Sequence, residues 1–147
     1  MTDPGPWRAA IQALPGDVSA LCEIIQGLLL HDAAGRSLYG TPPAEVDFSR
    51  RTTLALARRL DLILAADPRP LSEARAPFQR SVGTCRDFAL MLCAVLREQG
   101  TPARLRCGFA DYLGGGRFRD HWVCEYGQPA RWDRDTIQRP PWRPVPE

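Results

Sequence analysis

Apolar residues recur at helical spacing in two stretches of the first half of the chain. The spacing predicts one helix over about residues 17–31 and a second over about 53–66. A shorter helix is predicted for residues 7–14, and the Gly-, Ser- and Pro-containing segment 32–50 is predicted to be a loop. Asp17 is an N-cap residue type, so it marks the start of the first long helix.

A strongly apolar helix is predicted next, from Cys85 to about Gln99. Thr84 and Asp87 form an [ST]-x-x-[DE] pattern, which is a helix start signal. Gly100 and the proline that follows it mark the end. This helix carries the most continuous apolar surface in the chain and is therefore predicted to be central.

The pattern then changes from helical spacing to alternation. Ala103, Leu105, Cys107 and Phe109 alternate with polar residues and glycine, which predicts a half-buried strand. A glycine turn at 114–116 separates it from a second strand over about 118–126, and a third strand follows the turn 127–129. Helices followed by one buried helix and an antiparallel meander predict an α+β fold, with the central helix packed on a sheet of three or more strands.

Length and composition narrow the class of protein. The 147 residues suit one domain over 1–147, divided into a helical part (1–80), a core (81–138) and a Pro-rich tail (139–147). No apolar run is long enough to span a bilayer and the first residues lack an export signal, so a cytoplasmic protein without membrane contact is expected. All 19 basic residues are Arg, scattered along the chain, which disfavours a nucleic-acid partner.

Cys85 is the first candidate for chemistry. The sequence places it in the first turn of the central helix, where unpaired backbone N–H groups and the helix dipole favour an anion. Such a position, with a nearby imidazolium, lowers the pKa of a thiol and makes it a nucleophile. The alternative is a small buried hydrophobic residue, and this is the better interpretation for Cys93.

His121 is the candidate base. It lies in the second predicted strand, on the face shared by Arg119, Val123 and Glu125. A histidine on a strand is more often structural than catalytic. The chain has only two histidines, however, and this one follows a helix-capped cysteine.

A third group is needed to orient the imidazole. If the turn at 127–129 has three residues, Asp135 lies directly opposite His121 and Asp133 is its diagonal neighbour. Asp135 is preferred, and Asp133 remains the alternative because one residue more or less in the turn changes the register.

Metal and cofactor sites are disfavoured by the spacing of the potential ligands. His121 and Cys124 would point to opposite faces of a strand, and no other Cys/His pair has zinc spacing. The five cysteines contain no C-x-x-C pair and are expected to be reduced thiols. The glycines at 114–116 lack the surroundings of a phosphate loop. No cofactor is expected.

These residues also resemble a known family. The chain is similar to the transglutaminase-like superfamily, with its papain-like fold, in the segments 83–89, 96–97, 100–104, 108–109, 120–123 and at Trp132. The resemblance implies Cys85 as nucleophile, His121 as base and an acid on the next strand. The segment 25–31 is similar to uncharacterised bacterial members. One departure is that family members usually have three residues between Trp and Asp on the third strand, whereas here Asp133 and Asp135 follow Trp132 more closely.

The expected function is therefore thiol-dependent acyl transfer to or from an amide, peptide or thioester, with hydrolysis preferred because it needs no second substrate site. A non-catalytic binding module that kept the fold is the alternative, and a purely structural domain is a third interpretation. Gln79, six residues before Cys85, is considered as an oxyanion-hole side chain, but a solvated loop glutamine is the better interpretation.

Overall fold

The computed structural model describes residues 1–48, 55–111, 113, 118–128 and 131–135, with the backbone alone for 128 and 131–135. Its helices are α1 (Arg8–Gln12), α2 (Val18–Leu28), α3 (Ala34–Tyr39), α4 (Leu56–Ala66) and α5 (Cys85–Glu98), with short 3-10 turns at Gly5–Trp7 and Pro77–Gln79. Its strands are β1 (Leu29–His31), β2 (Ser81–Gly83), β3 (Ala103–Ala110), β4 (Arg119–Gln128) and β5 (Arg131–Asp135). Helices and strands thus both contribute, as the predicted α+β class requires.

The helix α5 is the centre of the core, as its apolar sequence predicts. Every residue from 87 to 96 is buried, and the helix packs on β3 and β4 and on α1, α2 and α4. The predicted start is confirmed, because the Asp87 carboxylate accepts hydrogen bonds from the Thr84 backbone N–H at 2.8 Å and the Thr84 hydroxyl at 3.2 Å. The predicted end is confirmed by Gly100, whose φ of +82° suits a residue without a side chain.

Two predictions in the first half of the chain need correction. Asp17 does cap α2, with its side chain accepting from the Ala20 N–H at 2.8 Å, but the helix ends at Leu28 and Leu29–His31 form β1 instead. β1 pairs in parallel with β2, a contact between distant segments that helical periodicity cannot reveal. The predicted loop over 32–50 contains the helix α3. Residues 53 and 54 of the second predicted helix lie outside the described residues.

The antiparallel sheet has the strand order β3-β4-β5. Only one end of β3 is covered by the core: Ala103 is buried and Leu105 packs against the core, whereas Cys107 and Phe109 are exposed. The prediction that Cys107 and Phe109 lie on the buried face of this strand is therefore wrong. The predicted turn at 114–116 and the Pro-rich tail lie outside the described residues.

Candidate active site

Cys85 is the first residue of α5, and it is half-buried. The backbone N–H groups of Arg86 and Trp122 act to lower the pKa of its thiol. Trp122 belongs to β4, so the thiol is held between the start of the central helix and the strand that carries His121. The guanidinium of Arg86 also lies 5.1 Å from the centre of the Trp122 ring, a cation–π contact that ties the same two elements together.

A buried ion pair fixes the position of this helix start. The Arg59 guanidinium of α4 and the Asp87 carboxylate are 2.8 Å apart, and their side chains are 4% and 2% exposed. Arg59 also donates to the Ser81 hydroxyl at 2.9 Å and to the Val82 carbonyl at 2.7 Å. Since Asp87 caps α5 at the same time, one arginine joins α4, β2 and the first turn of α5, which begins with Cys85.

His121 lies on β4 opposite Gly108 of β3, and it is buried. Burial lowers the pKa of His121, and the negative charge of the neighbouring Asp120 opposes this shift. The charge of Asp120 also raises the pKa of the Cys85 thiol. The residues on either side of His121, Asp120 and Trp122, therefore both interact with Cys85. The helix start and the middle of β4 form one polar cluster.

The pKa of the Cys85 thiol is raised, contrary to the expectation for a helix N-terminus. Burial is the largest cause, and the charges of Asp120 and Asp32 act in the same direction, while the N–H groups of Trp122 and Arg86 oppose it. Desolvation disfavours the charged form of an acid. Both the Cys85 thiol and the His121 imidazole are therefore shifted toward their neutral forms.

The predicted register between β4 and β5 is wrong by three residues. β4 continues to Gln128, which pairs with Arg131, so Asp133 lies opposite Tyr126 and Asp135 opposite Cys124. Neither aspartate is directly opposite His121. The predicted turn started at residue 127, but β4 continues to Gln128. Extending a strand in this way changes which residue of the next strand lies opposite each position. Asp135 as the third catalytic residue stays a prediction from the sequence, with Asp133 as its alternative.

His31 and Asp32 also belong to the cluster, and the sequence did not single them out as site residues. His31 ends β1 and pairs with Gly83 of β2, while the Asp32 N–H donates to the Gly83 carbonyl at 3.0 Å. The His31 ring lies 6.0 Å from the ring of Phe88 in the first turn of α5. A sequence signal was present, since His31 is the other of only two histidines. The helix predicted over residues 17–31, however, gave no indication that His31 pairs with β2.

The other candidates lie elsewhere or have different surroundings. Gln79 is exposed and lines a cavity of about 680 Å³ together with Leu28, Arg59 and Arg80. Cys93 and Cys124 are buried in the hydrophobic core, as predicted for Cys93. Within the described part of the chain, no group of three or more His, Cys, Asp or Glu side chains is arranged to hold a metal ion. No helix among the described residues has the length and apolar character to cross a membrane.

Comparison with known proteins identifies the family. A model of the transglutaminase-like superfamily matches residues 35–133. No curated protein and no solved structure matches the chain. The matched range includes Cys85 and His121, and it begins before the superfamily motifs that start at residue 83 but after the segment 25–31. Because the match covers more than half of the 147 residues, the chain belongs to the transglutaminase-like superfamily.

Proposed function

We propose that the protein is a thiol-dependent acyl-transfer enzyme with Cys85 as the nucleophile and His121 as the base. The observation that carries the proposal is the position of Cys85 as the first residue of a buried, capped helix. The backbone N–H of Trp122, the residue that follows His121, also acts to lower the pKa of its thiol. Membership of the transglutaminase-like superfamily supports thiol chemistry of this kind.

The raised thiol pKa and the lowered histidine pKa favour general-base catalysis over a preformed ion pair. His121 takes the proton from the Cys85 sulfur while a carbon–sulfur bond forms at the substrate carbonyl. The tetrahedral intermediate then collapses, the bond to the leaving group breaks, and His121 returns the proton to that group. Water adds to the acyl-enzyme by the same steps, and the carbon–sulfur bond breaks to release the acid and the thiol.

The proposed substrates are amides, peptides or thioesters, and the proposed outcome is hydrolysis, since transamidation would need a site for an amine. For the third catalytic residue the family pattern favours an acid on β5, Asp135 or Asp133. The structure adds Asp120 as a further candidate, because its charge acts on both His121 and Cys85. Replacing each of the three aspartates by asparagine and comparing kcat would identify the residue.

Acylation of the protein by p-nitrophenyl acetate, followed by mass spectrometry of the intact chain and its peptides, tests the proposal. We expect an acetyl group on Cys85, no acylation of Cys85→Ala, and a rate lowered by about 10²–10⁴-fold in His121→Ala. The exposed Cys107 offers a matched control, because Cys107→Ala removes an accessible thiol outside the cluster. Acetylation of Cys107 in place of Cys85 would refute the proposal.

The pH dependence of this acylation provides a second check. The base must be neutral, and burial lowers the pKa of His121. The rate should therefore persist to a pH below the ordinary histidine value of about 6.5 before it falls. A rate that is already half lost above that pH would contradict the assignment of His121 as the base.

A non-catalytic binding module is the second candidate. Two observations favour it: the register that takes Asp135 away from His121, and the raised pKa of the Cys85 thiol. The same acylation experiment separates the two functions. A binding module would show no difference in acylation between wild type and His121→Ala.

A further inference from the structure

Backbone pairing anchors His31 near the start of α5, the helix that begins with the proposed nucleophile. β1 and β2 place His31 opposite Gly83, two residues before Cys85, and the Asp32 N–H to Gly83 carbonyl bond extends that pairing by one residue. The imidazole lies against the ring of Phe88, with the ring centres 6.0 Å apart and the planes tilted by 35°. Its side chain is 17% exposed. The imidazole therefore borders the first turn of α5, and it is largely enclosed.

The contacts of one ring nitrogen assign the proton to the other. His31 Nδ1 accepts from the backbone N–H groups of Ala33 at 3.2 Å and Ala34 at 3.4 Å. The Asp32 carboxylate lies 3.2 Å from the same nitrogen, but it accepts the Ala33 N–H at 2.7 Å. A nitrogen that accepts N–H groups carries no proton in the neutral ring, so the proton is assigned to Nε2. Nε2 is separated from Nδ1 by one ring carbon, so it is not the nitrogen that contacts the N–H groups of Ala33 and Ala34.

The charge state of His31 follows from its surroundings. Burial lowers its pKa; Asp32 opposes this most strongly, His121 lowers the pKa further, and Asp87 raises it. The ring is therefore neutral at physiological pH. Protonation at Nδ1 would leave the Nε2–H in place, so this N–H persists in both charge states. A fixed N–H donor near the start of the helix that carries the thiol suits the stabilisation of a developing oxyanion.

We propose that His31 is the side-chain donor of the oxyanion hole, with Nε2–H hydrogen-bonding to the substrate oxygen while Cys85 attacks the carbonyl carbon. The backbone N–H of Cys85, at the start of α5, is the second donor. This inference rests on the proposed function, and it fills the role for which the sequence offered only Gln79. It also explains the pairing of β1 with β2, which brings His31 from the first half of the chain to the start of α5.

The role differs from that of a second base in ways that can be measured. An oxyanion donor acts on acyl transfer, in which a carbonyl oxygen becomes negative, but not on alkylation of the thiol by iodoacetamide, in which no oxyanion forms. It also leaves the pH profile of acylation unchanged, because Nε2 keeps its proton throughout. A base would affect both reactions and would alter the profile.

The test compares wild type with His31→Phe, which removes the donor, and His31→Gln, which restores an N–H close to the Nε2 position. In acylation by p-nitrophenyl acetate, His31→Phe should lose about 10²–10³-fold in rate, and His31→Gln should stay within about tenfold of wild type. Both should alkylate at Cys85 at the wild-type rate, with an unchanged pH profile of acylation and a cooperative thermal transition.

The outcomes separate this inference from the function on which it rests. If wild type is not acylated at Cys85, both are wrong. Acylation of wild type and His31→Phe at the same rate would overturn the oxyanion role and leave the proposed function standing. A parallel loss of acylation and alkylation in both variants, or a shifted pH profile, would show that His31 acts on the thiol or on the fold and not on the oxyanion.

Discussion

Two cysteines of α5, Cys85 and Cys93, lie about two turns apart and have opposite surroundings. Cys93 is fully buried in the hydrophobic core, which also contains Cys124 of β4. Cys85 is half-buried, and burial together with the charges of Asp120 and Asp32 raises the pKa of its thiol. The same residue type on the same helix is thus a packing residue at one position and a candidate nucleophile at the other. The difference comes from the segments that pack against each turn of the helix.

The polar end of α5 depends on the ion pair between Arg59 and Asp87. In Asp87→Ala the buried guanidinium loses its partner and the helix loses its cap, so the free energy of unfolding should fall by about 3–5 kcal/mol. Urea denaturation monitored by circular dichroism measures the change. Asp3→Ala is the matched control, because that carboxylate is 73% exposed and its ion pair with Arg8 should contribute less than about 1 kcal/mol. Equal effects of the two substitutions would show that the pair does not fix the helix start.

Truncation of each cysteine compares the two positions directly. Cys93→Ala removes a sulfur from a closely packed core and should lower the free energy of unfolding by about 1–2 kcal/mol. Cys85→Ala should change it by less than about 0.5 kcal/mol, because a half-buried thiol at a helix start leaves little cavity. Thermal unfolding distinguishes the two variants, because each kcal/mol lowers the melting temperature by about 2–4 °C. A drop for Cys85→Ala as large as that for Cys93→Ala would assign Cys85 to the core as well.

The titration of the Cys85 thiol is the smallest effect expected. Its rate of alkylation by iodoacetamide, followed by peptide mass spectrometry, should reach half its maximum at a higher pH in the native protein than in the urea-unfolded chain. The reason is that burial raises the pKa of this thiol. By linkage, the folded state keeps the proton longer, so the stability contributed by this group is present below the unfolded pKa and is lost as the pH rises through the folded value. A native midpoint below the unfolded one would indicate a thiolate–imidazolium pair.

Local signals in the sequence were sufficient for several elements. The capping pattern of Thr84 and Asp87 and the stop at Gly100 located α5 to within one residue, because caps and glycine act through backbone groups a few residues away. Asp17 located the start of α2 for the same reason. The motifs around Cys85 and His121 were sufficient to indicate the superfamily, and the match over residues 35–133 confirmed it.

Tertiary structure decided what local signals could not. The apolar run that ends at His31 fits a helix and a strand equally well, and only pairing with β2 made it a strand and brought His31 to the first turn of α5. The register of β5 depended on where β4 ends, so a three-residue difference separated Asp135 from His121. The pKa of Cys85 depended on burial by distant segments. By itself the sequence determined the central helix, the family and the candidate nucleophile and base. The fold determined their partners and proton affinities, because these depend on contacts between residues far apart in the chain.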